Sequence, residues 1–192
     1  MSVGRTCVGR TLLSDKRGYT RAMQTAAVAL LLFASLFGES VAGLKWTAPP
    51  GWKSEAPKPM RAATYTVPGK ADGEDAECVV YFFGAGQGGS VDANLERWKR
   101  QILAPDGKPA EAKIAKRTIH GLPVTTIDST GDYTSMGGPM APSKSTQHDY
   151  RLLGAIVEGP DGNVFVKFTG PAKTVTARQP DFEEFLNSFD KQ

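Results

Sequence analysis

The clearest pattern with a known chemistry is a set of three glycines. Gly84, Gly86 and Gly89 match the spacing G-x-G-x-x-G, and they stand between a strand-like apolar run and a helical pattern that follows Ser90. At such a junction, backbone amides and the helix N-terminus can hold a pyrophosphate. A dinucleotide site also requires a parallel second strand that ends in an acidic residue, and none is recognisable downstream. The pattern therefore predicts an ordinary turn, with a nucleotide- or phosphate-binding enzyme as the alternative.

Residues that commonly bind transition metals are few. The two histidines, His120 and His148, are 28 positions apart with no cysteine pair near them, so the usual zinc spacing is absent. His120 precedes Gly-Leu-Pro, which indicates a turn. Met136 and Met140 flank Gly-Gly-Pro, and their thioethers suit cuprous ion, with His148 as a further ligand. Copper binding is a third hypothesis, but two methionines are too few to predict a metal site.

The remaining reactive side chains also have simpler interpretations. The acids Asp72, Glu74, Asp75 and Glu77 lack the spacing and glycine of an EF-hand, which favours a solvated turn over a calcium site. Cys78 lies in the apolar run ECVVYFF, where a buried, inert thiol is expected. The chain has no Gly-x-Ser-x-Gly elbow, and nothing orders its Ser, His and Asp residues into a triad. We therefore predict no catalytic, cofactor-binding or metal-binding residue and expect a non-catalytic protein.

The N-terminal segment has the pattern of an export signal. Five basic residues and one acid in residues 1–21 precede the uncharged run Ala26–Phe37, which is too short to span a bilayer. Ser40-Val41-Ala42 then supplies small residues at the positions that signal peptidase requires. We predict a signal peptide over residues 1–42 and one globular domain over residues 43–192, in the periplasm or outside the cell and without a membrane span.

Three details of this leader stay open. Met23 precedes the apolar run and is an alternative start to Met1. Cleavage after Gly43 is the alternative to cleavage after Ala42. The stretch from Lys16 to Arg21 resembles a twin-arginine signal with Lys in the first position, so the route is either general secretory or twin-arginine.

Composition after residue 42 excludes several classes of function. The chain has 23 Lys and Arg and 20 Asp and Glu; five of the bases and two of the acids lie in residues 1–42, which leaves 18 of each. A balanced chain without a basic stripe gives no reason to expect nucleic acid as a partner. About 150 residues suffice for one domain with a single core. Because Cys7 lies in the leader, Cys78 has no partner for a disulfide.

Periodicity predicts mainly strands. A helix is predicted after Ser90, with Val91, Leu95, Trp98 and Ile102 on one face, and a second from Pro180, with Phe182, Phe185, Leu186 and Phe189 buried. An exposed loop is predicted over Thr134–Gln147. Strands are predicted at the opening LKWTAPPGWK, Met60–Val67, Cys78–Phe83, Ala112–Ile119, Val124–Ser129, Tyr150–Val157 and Asn163–Thr169. This order favours an α+β fold, with a largely antiparallel sheet of about six to seven strands covered by two helices.

Several short segments support a family resemblance. The opening PPGW, the turn HGLP before a strand, the hairpin EGPDGNVFVKFTGP and the closing FEEFLNSF resemble the PsbP family of photosystem II extrinsic proteins and their bacterial relatives. The resemblance covers nearly all of residues 43–192 and implies an α-β-α sandwich with an accessory or binding role; it assigns no functional residue. We expect an exported accessory or binding protein of unknown ligand, which contacts another protein or an envelope component through Thr134–Gln147 or the glycine turn.

Overall fold

A computed structural model describes residue 1 and residues 39–70, 73–134 and 146–192. Most of the predicted leader, Asp72, Met136 and Met140 lie outside these residues. Within the described part of the chain, no helix has the length and apolar character needed to cross a membrane. The strands are antiparallel and the class is α+β, as predicted.

Eleven strands and three helices are described. In chain order they are β1 Glu39–Val41, β2 Leu44–Trp46, β3 Lys53–Ser54, β4 Arg61–Val67, β5 Ala76–Tyr81, α1 Val91–Lys99, β6 Ile102–Leu103, β7 Ala112–Ile119, β8 Leu122–Thr134, β9 Thr146–Gly159, β10 Gly162–Pro171, α2 Ala172–Ala177, α3 Gln179–Asn187 and β11 Asp190–Lys191. The large sheet has the order β3-β4-β5-β10-β9-β8-β6, with β7 also pairing with β8, and a small sheet has the order β1-β2-β11.

The centre of the large sheet is buried on both faces. Along β10, Val164, Val166 and Phe168 belong to the core that also contains Phe182 and Phe185 of α3. Because side chains alternate along a strand, Phe165 points to the other face, where it joins Leu95 and Trp98 of α1 in a second core. The layers are therefore helix, sheet and helix.

Two tight turns connect the longest hairpins. His120 and Gly121 join β7 to β8 with φ of 47° and 75°, the left-handed pair that a two-residue hairpin with twisted strands requires. Gly159 pairs with Gly162 at the tip of the β9–β10 hairpin. Both turns were predicted from Gly and Pro, and the turn at His120 confirms the expectation that this residue reverses the chain.

The predicted loop Thr134–Gln147 is wrong at both ends. Thr134 is the last residue of β8 and pairs with Thr146, while Gln147 pairs with Tyr133. These strand ends are polar and pair through the backbone. Because they show no apolar alternation, sequence periodicity does not reveal them. Residues 135–145, the middle of this prediction, lie outside the described part of the chain.

The helix predictions also need two corrections. Ile102, predicted on the face of α1, lies in β6, and its side chain is buried in the same core as Leu95. A third helix, α2, precedes α3 and buries Thr174 and Val175. Its six residues are too few to show a helical repeat in sequence.

The predicted cleavage region forms part of a hairpin. β1 pairs with β2, with Glu39 opposite Trp46. The buried Tyr65 hydroxyl donates to the Glu39 carboxylate and accepts from Trp46 Nε1 at 2.9 Å. The small residues that suit signal peptidase also suit the turn, where Ala42 and Gly43 have φ of 57° and 69°. Cleavage after Ala42 stays a prediction, and it would remove β1.

Candidate functional site

The glycine turn is held by contacts within the chain. Gly84, Gly86, Gly88 and Gly89 all have positive φ, between 68° and 104°. The Asn94 amide donates to the carbonyl oxygens of Gly88 and Ser90, at 2.8 and 2.9 Å.

Internal partners also occupy the start of α1. Ser90 Oγ accepts from the amide of Ala93 at 3.2 Å, so it takes a donor that a phosphate would need. The neighbours of β5 in the sheet, β4 and β10, both run antiparallel to it, whereas a dinucleotide fold requires parallel neighbours. This geometry favours the interpretation as a turn.

Gly88 lets this turn lie against two aromatic rings. A Cβ atom at this position would be 2.7 Å from Cε2 of Phe165 and 2.8 Å from Cδ2 of Phe83. No side chain fits such a gap. The glycine therefore serves close packing, and both rings form part of the wall of a cavity.

This cavity, named here the Lys167 cavity, has a volume of about 190 Å³ and lies between α1 and the large sheet. The rings of Tyr81 and Phe83 stack with centroids 6.0 Å apart, and Phe83 tilts against Phe165 at 5.6 Å. An apolar cavity of roughly 150 Å³ can hold benzene, so the volume suits one aromatic ring. Its lining consists of Tyr81, Phe83, Arg97, Trp98, Gln101, Phe165 and Lys167.

Lys167 supplies a buried amine to this aromatic lining. It lies on the central strand β10, and only 9% of its surface is exposed. Nζ donates to Gln101 Oε1 at 2.5 Å and to Tyr133 Oη at 2.9 Å, and it sits 4.7 Å from the centroid of the Tyr133 ring. Both hydrogen-bond partners are neutral, so they satisfy the amine without supplying a counter-charge.

Burial lowers the pKa of Lys167 to about 7, because the charged amine loses hydration that its partners do not replace. Glu77 opposes this effect, while Arg97 and Arg61 lower the pKa further. Burial also raises the pKa of Tyr133 to about 12. The pair therefore presents a neutral phenol beside an amine that changes charge near neutral pH, a combination typical of functional sites.

A larger cavity, of about 350 Å³, lies where β7, β8 and β9 meet α2. Its most prominent charge is Arg151, which makes a two-pronged ion pair with Asp128 at 2.9 and 2.8 Å. The same guanidinium donates to Thr176 at 3.0 Å and to Gln179 at 2.9 Å. These groups satisfy one another, so the larger cavity is the weaker candidate for a binding site.

The structure separates the two histidines. His120 Nδ1 lies 2.9 Å from the carbonyl oxygen of Phe189, while His148 pairs with Asp132 at 3.0 Å. Leu122, the first residue of β8, follows the turn at His120, and Asp132 lies ten positions further along β8, so at the rise of a strand these two ends are roughly 33 Å apart. Among the described residues, no three His, Cys, Asp or Glu side chains are grouped to hold a metal ion.

The acidic residues considered for a calcium site make different contacts in the structure. Asp75 accepts from the amide of Gly69 at 3.1 Å in an exposed turn. Glu77 lies in β5 instead of the turn and pairs with Arg61 at 2.8 Å. Cys78 is fully buried, and burial raises the pKa of its thiol, as expected for an inert cysteine.

Sequence reasoning missed the Lys167 cavity. The alternation of Val164, Val166 and Phe168 with Lys167 and Thr169 predicts one buried face, which places Lys167 in solvent. The sheet is instead covered on both faces, and Lys167 points under α1. Phe165, two residues earlier on the same face, was the available signal, because a large apolar residue is seldom exposed beside a buried face.

No protein-family model matches this chain, and no curated protein matches it in sequence. Solved structures with a similar shape include a protein of unknown function from Pseudomonas aeruginosa, at 13% identity over 81% of this chain and 96% of that one, with a TM-score of 0.48. Another is cyanobacterial PsbP from Synechocystis, at 11% identity over 84% of this chain and 99% of that one, with a TM-score of 0.46.

A third structure, from Bacteroides thetaiotaomicron, has 13% identity over 80% of this chain and a TM-score of 0.45, and the match spans 47% of that protein. At such identities and scores the likeness concerns the fold and says nothing of a ligand. The resemblance to the PsbP family therefore stays a prediction.

Proposed function

We propose that this chain is an exported, non-catalytic binding protein whose ligand occupies the Lys167 cavity. The observation that carries the proposal is the buried amine of Lys167 at an aromatic-lined cavity of about 190 Å³. Retaining such an amine costs stability, because it loses hydration on folding. A binding role explains why a lysine stands where an apolar residue would pack better.

The lining defines the class of ligand. Tyr81, Phe83 and Phe165 offer ring faces and edges to a planar apolar group. Lys167 offers a hydrogen-bond donor, and Arg97, also in the lining, adds a guanidinium. The ligand we propose has one aromatic ring, or an apolar group of similar size, and an oxygen acceptor directed at Lys167.

The proposal includes export because the chain has a basic leader, a short apolar run and small residues up to Ala42. Contact with another protein or an envelope component is the second part of the expected accessory role. Determining the N-terminus of the protein recovered from the envelope fraction tests export. Recovery with an intact leader in the cytoplasmic fraction would contradict export.

Binding of benzyl alcohol tests the ligand class, because it combines one ring with one oxygen. We expect saturable binding in a thermal-shift titration and in ligand-observed NMR. Phe83→Leu removes a ring from the wall, and the loss of about 0.5–1.5 kcal/mol of aromatic contact corresponds to a Kd raised roughly 2- to 10-fold.

Phe82→Leu is the matched control. Phe82 is the preceding residue and is also half-buried, but it packs against the core on the opposite face of the sheet. We expect it to leave the Kd for benzyl alcohol unchanged. Equal weakening by both variants, or no saturable binding by the parent protein, would refute the proposed site.

A further inference from the structure

The Lys167 amine has the environment of a lysine that reacts with carbonyl groups. Its hydrogen-bond partners are Gln101 and Tyr133, and neither carries a negative charge at neutral pH. With a pKa of about 7, about half of these amines are neutral at pH 7. A neutral, desolvated lysine amine is a nucleophile that forms imines with carbonyl compounds.

The same contacts position the amine. Gln101, in the turn between α1 and β6, and Tyr133, on β8, hold Nζ from two separate segments of the chain, so its position is fixed relative to the cavity wall. The Tyr133 oxygen accepts from Nζ, which leaves its own proton available to a neighbouring oxygen. Tyr133 is therefore a positioning residue for Nζ.

We propose that Lys167 binds a small aromatic aldehyde covalently and reversibly, as an imine; this inference rests on the proposed function of the cavity. The Nζ lone pair attacks the carbonyl carbon, the carbonyl electron pair moves to the oxygen, and that oxygen takes up one of the two Nζ protons. The resulting carbinolamine loses its hydroxyl together with the second Nζ proton as water, and the nitrogen lone pair forms the C=N bond. Amine and aldehyde give imine and water, with no change of oxidation state.

The aldehyde class follows from the cavity's size and chemistry. Its volume of about 190 Å³ takes one ring with little to spare. Tyr81, Phe83 and Phe165 line the same cavity as Lys167, so a ring bound among them needs only a short substituent to reach the amine. An aldehyde places its electrophilic carbon directly on the ring and keeps the oxygen acceptor of the proposed ligand.

Reductive trapping tests the inference on the full chain. Benzaldehyde with cyanoborohydride should attach one benzyl group per chain, and peptide mass spectrometry should locate it at Lys167. Because a fully hydrated lysine amine is almost entirely charged at pH 7 and therefore a poor nucleophile, labelling of Lys167 should exceed that of the exposed lysines by about tenfold or more. Excess benzyl alcohol should slow labelling at Lys167 and leave the exposed lysines unaffected.

Two variants complete the test. Lys167→Met should abolish the fast labelling, and a cooperative thermal transition of this variant shows that it is folded. Lys116→Met removes an exposed lysine of β7 and should leave labelling of Lys167 unchanged.

Two outcomes overturn the inference, and they differ in what else they overturn. Benzyl alcohol that binds, together with Lys167 labelling no faster than that of exposed lysines, refutes the imine and leaves the proposed function standing. Absence of binding by both benzyl alcohol and benzaldehyde refutes the proposed function and the imine together.

Discussion

At the scale of single residues, the burial of Lys167 couples stability to pH. The amine titrates at about 7 in the folded chain and at its ordinary value of 10.5 when unfolded. Between these values the unfolded state binds more protons, so the free energy of unfolding rises with pH. Below about pH 7 the amine is protonated in both states, and its contribution no longer changes.

We therefore expect the parent protein to gain about 2 kcal/mol of unfolding free energy relative to Lys167→Met between pH 7 and pH 9. Urea denaturation of both proteins at several pH values measures this difference. The comparison with the variant cancels the other titrating groups. Parallel stability curves for the two proteins would mean that the buried amine keeps an ordinary pKa.

Gly88 and Gly86 allow a matched test of packing in the glycine turn. Both have positive φ, 88° and 68°, so alanine at either costs about 1 kcal/mol of backbone strain. A Cβ atom at Gly86 meets nothing within 4 Å, whereas at Gly88 it meets Phe165 and Phe83 at 2.7 and 2.8 Å. Gly88→Ala should therefore cost a further 1–3 kcal/mol or so from overpacking. Thermal unfolding of both variants checks this, and equal losses would contradict it.

At the scale of elements, β1 matters because it brings the Glu39 carboxylate to Tyr65. A chain beginning at Gly43 lacks β1 and leaves the Tyr65 hydroxyl, in a residue 1% exposed, without its acceptor. An unsatisfied buried donor costs about 1–3 kcal/mol. We expect a chain that begins at Gly43 to melt several degrees below one that begins at Glu39.

Glu39→Gln in the longer chain is the control for this prediction. It keeps β1 and an oxygen acceptor, so it should lose less stability than the truncation. Calorimetry of the three proteins gives the comparison. Equal melting temperatures for the two chain lengths would contradict the prediction and show that β1 adds no stability.

Local patterns predicted the elements that carry strong periodicity or turn residues. Ser90 caps α1, and Phe182, Phe185 and Leu186 are buried on α3, as expected. Elements of two or three residues, such as β3 and β11, escaped prediction because they have too few positions to show a period. The region of β1 was read as leader because its small residues satisfy two patterns at once.

At the scale of the whole molecule, the antiparallel α+β class followed from the order of strands and helices. The cavity did not, because it depends on pairings between distant positions. Lys167 meets Tyr133 across 34 positions and Gln101 across 66. Sequence periodicity reports which face of an element is apolar, but it does not report which neighbours cover that face. Because the second face of the sheet is also covered, Lys167 is buried at the centre of the site, although its position in the strand predicts an exposed side chain.

The buried thiol of Cys78 can report how often the large sheet opens. With Cys7→Ser in the full chain, Cys78 is the sole thiol, and it is 0% exposed on β5. A thiol reagent reaches it only while β5 is detached from its neighbours, so the rate of labelling measures how often the sheet opens. β5 ends at Tyr81, which lines the Lys167 cavity. A ligand that holds the cavity closed would therefore slow the labelling of Cys78. This effect can be measured without knowing the ligand's identity.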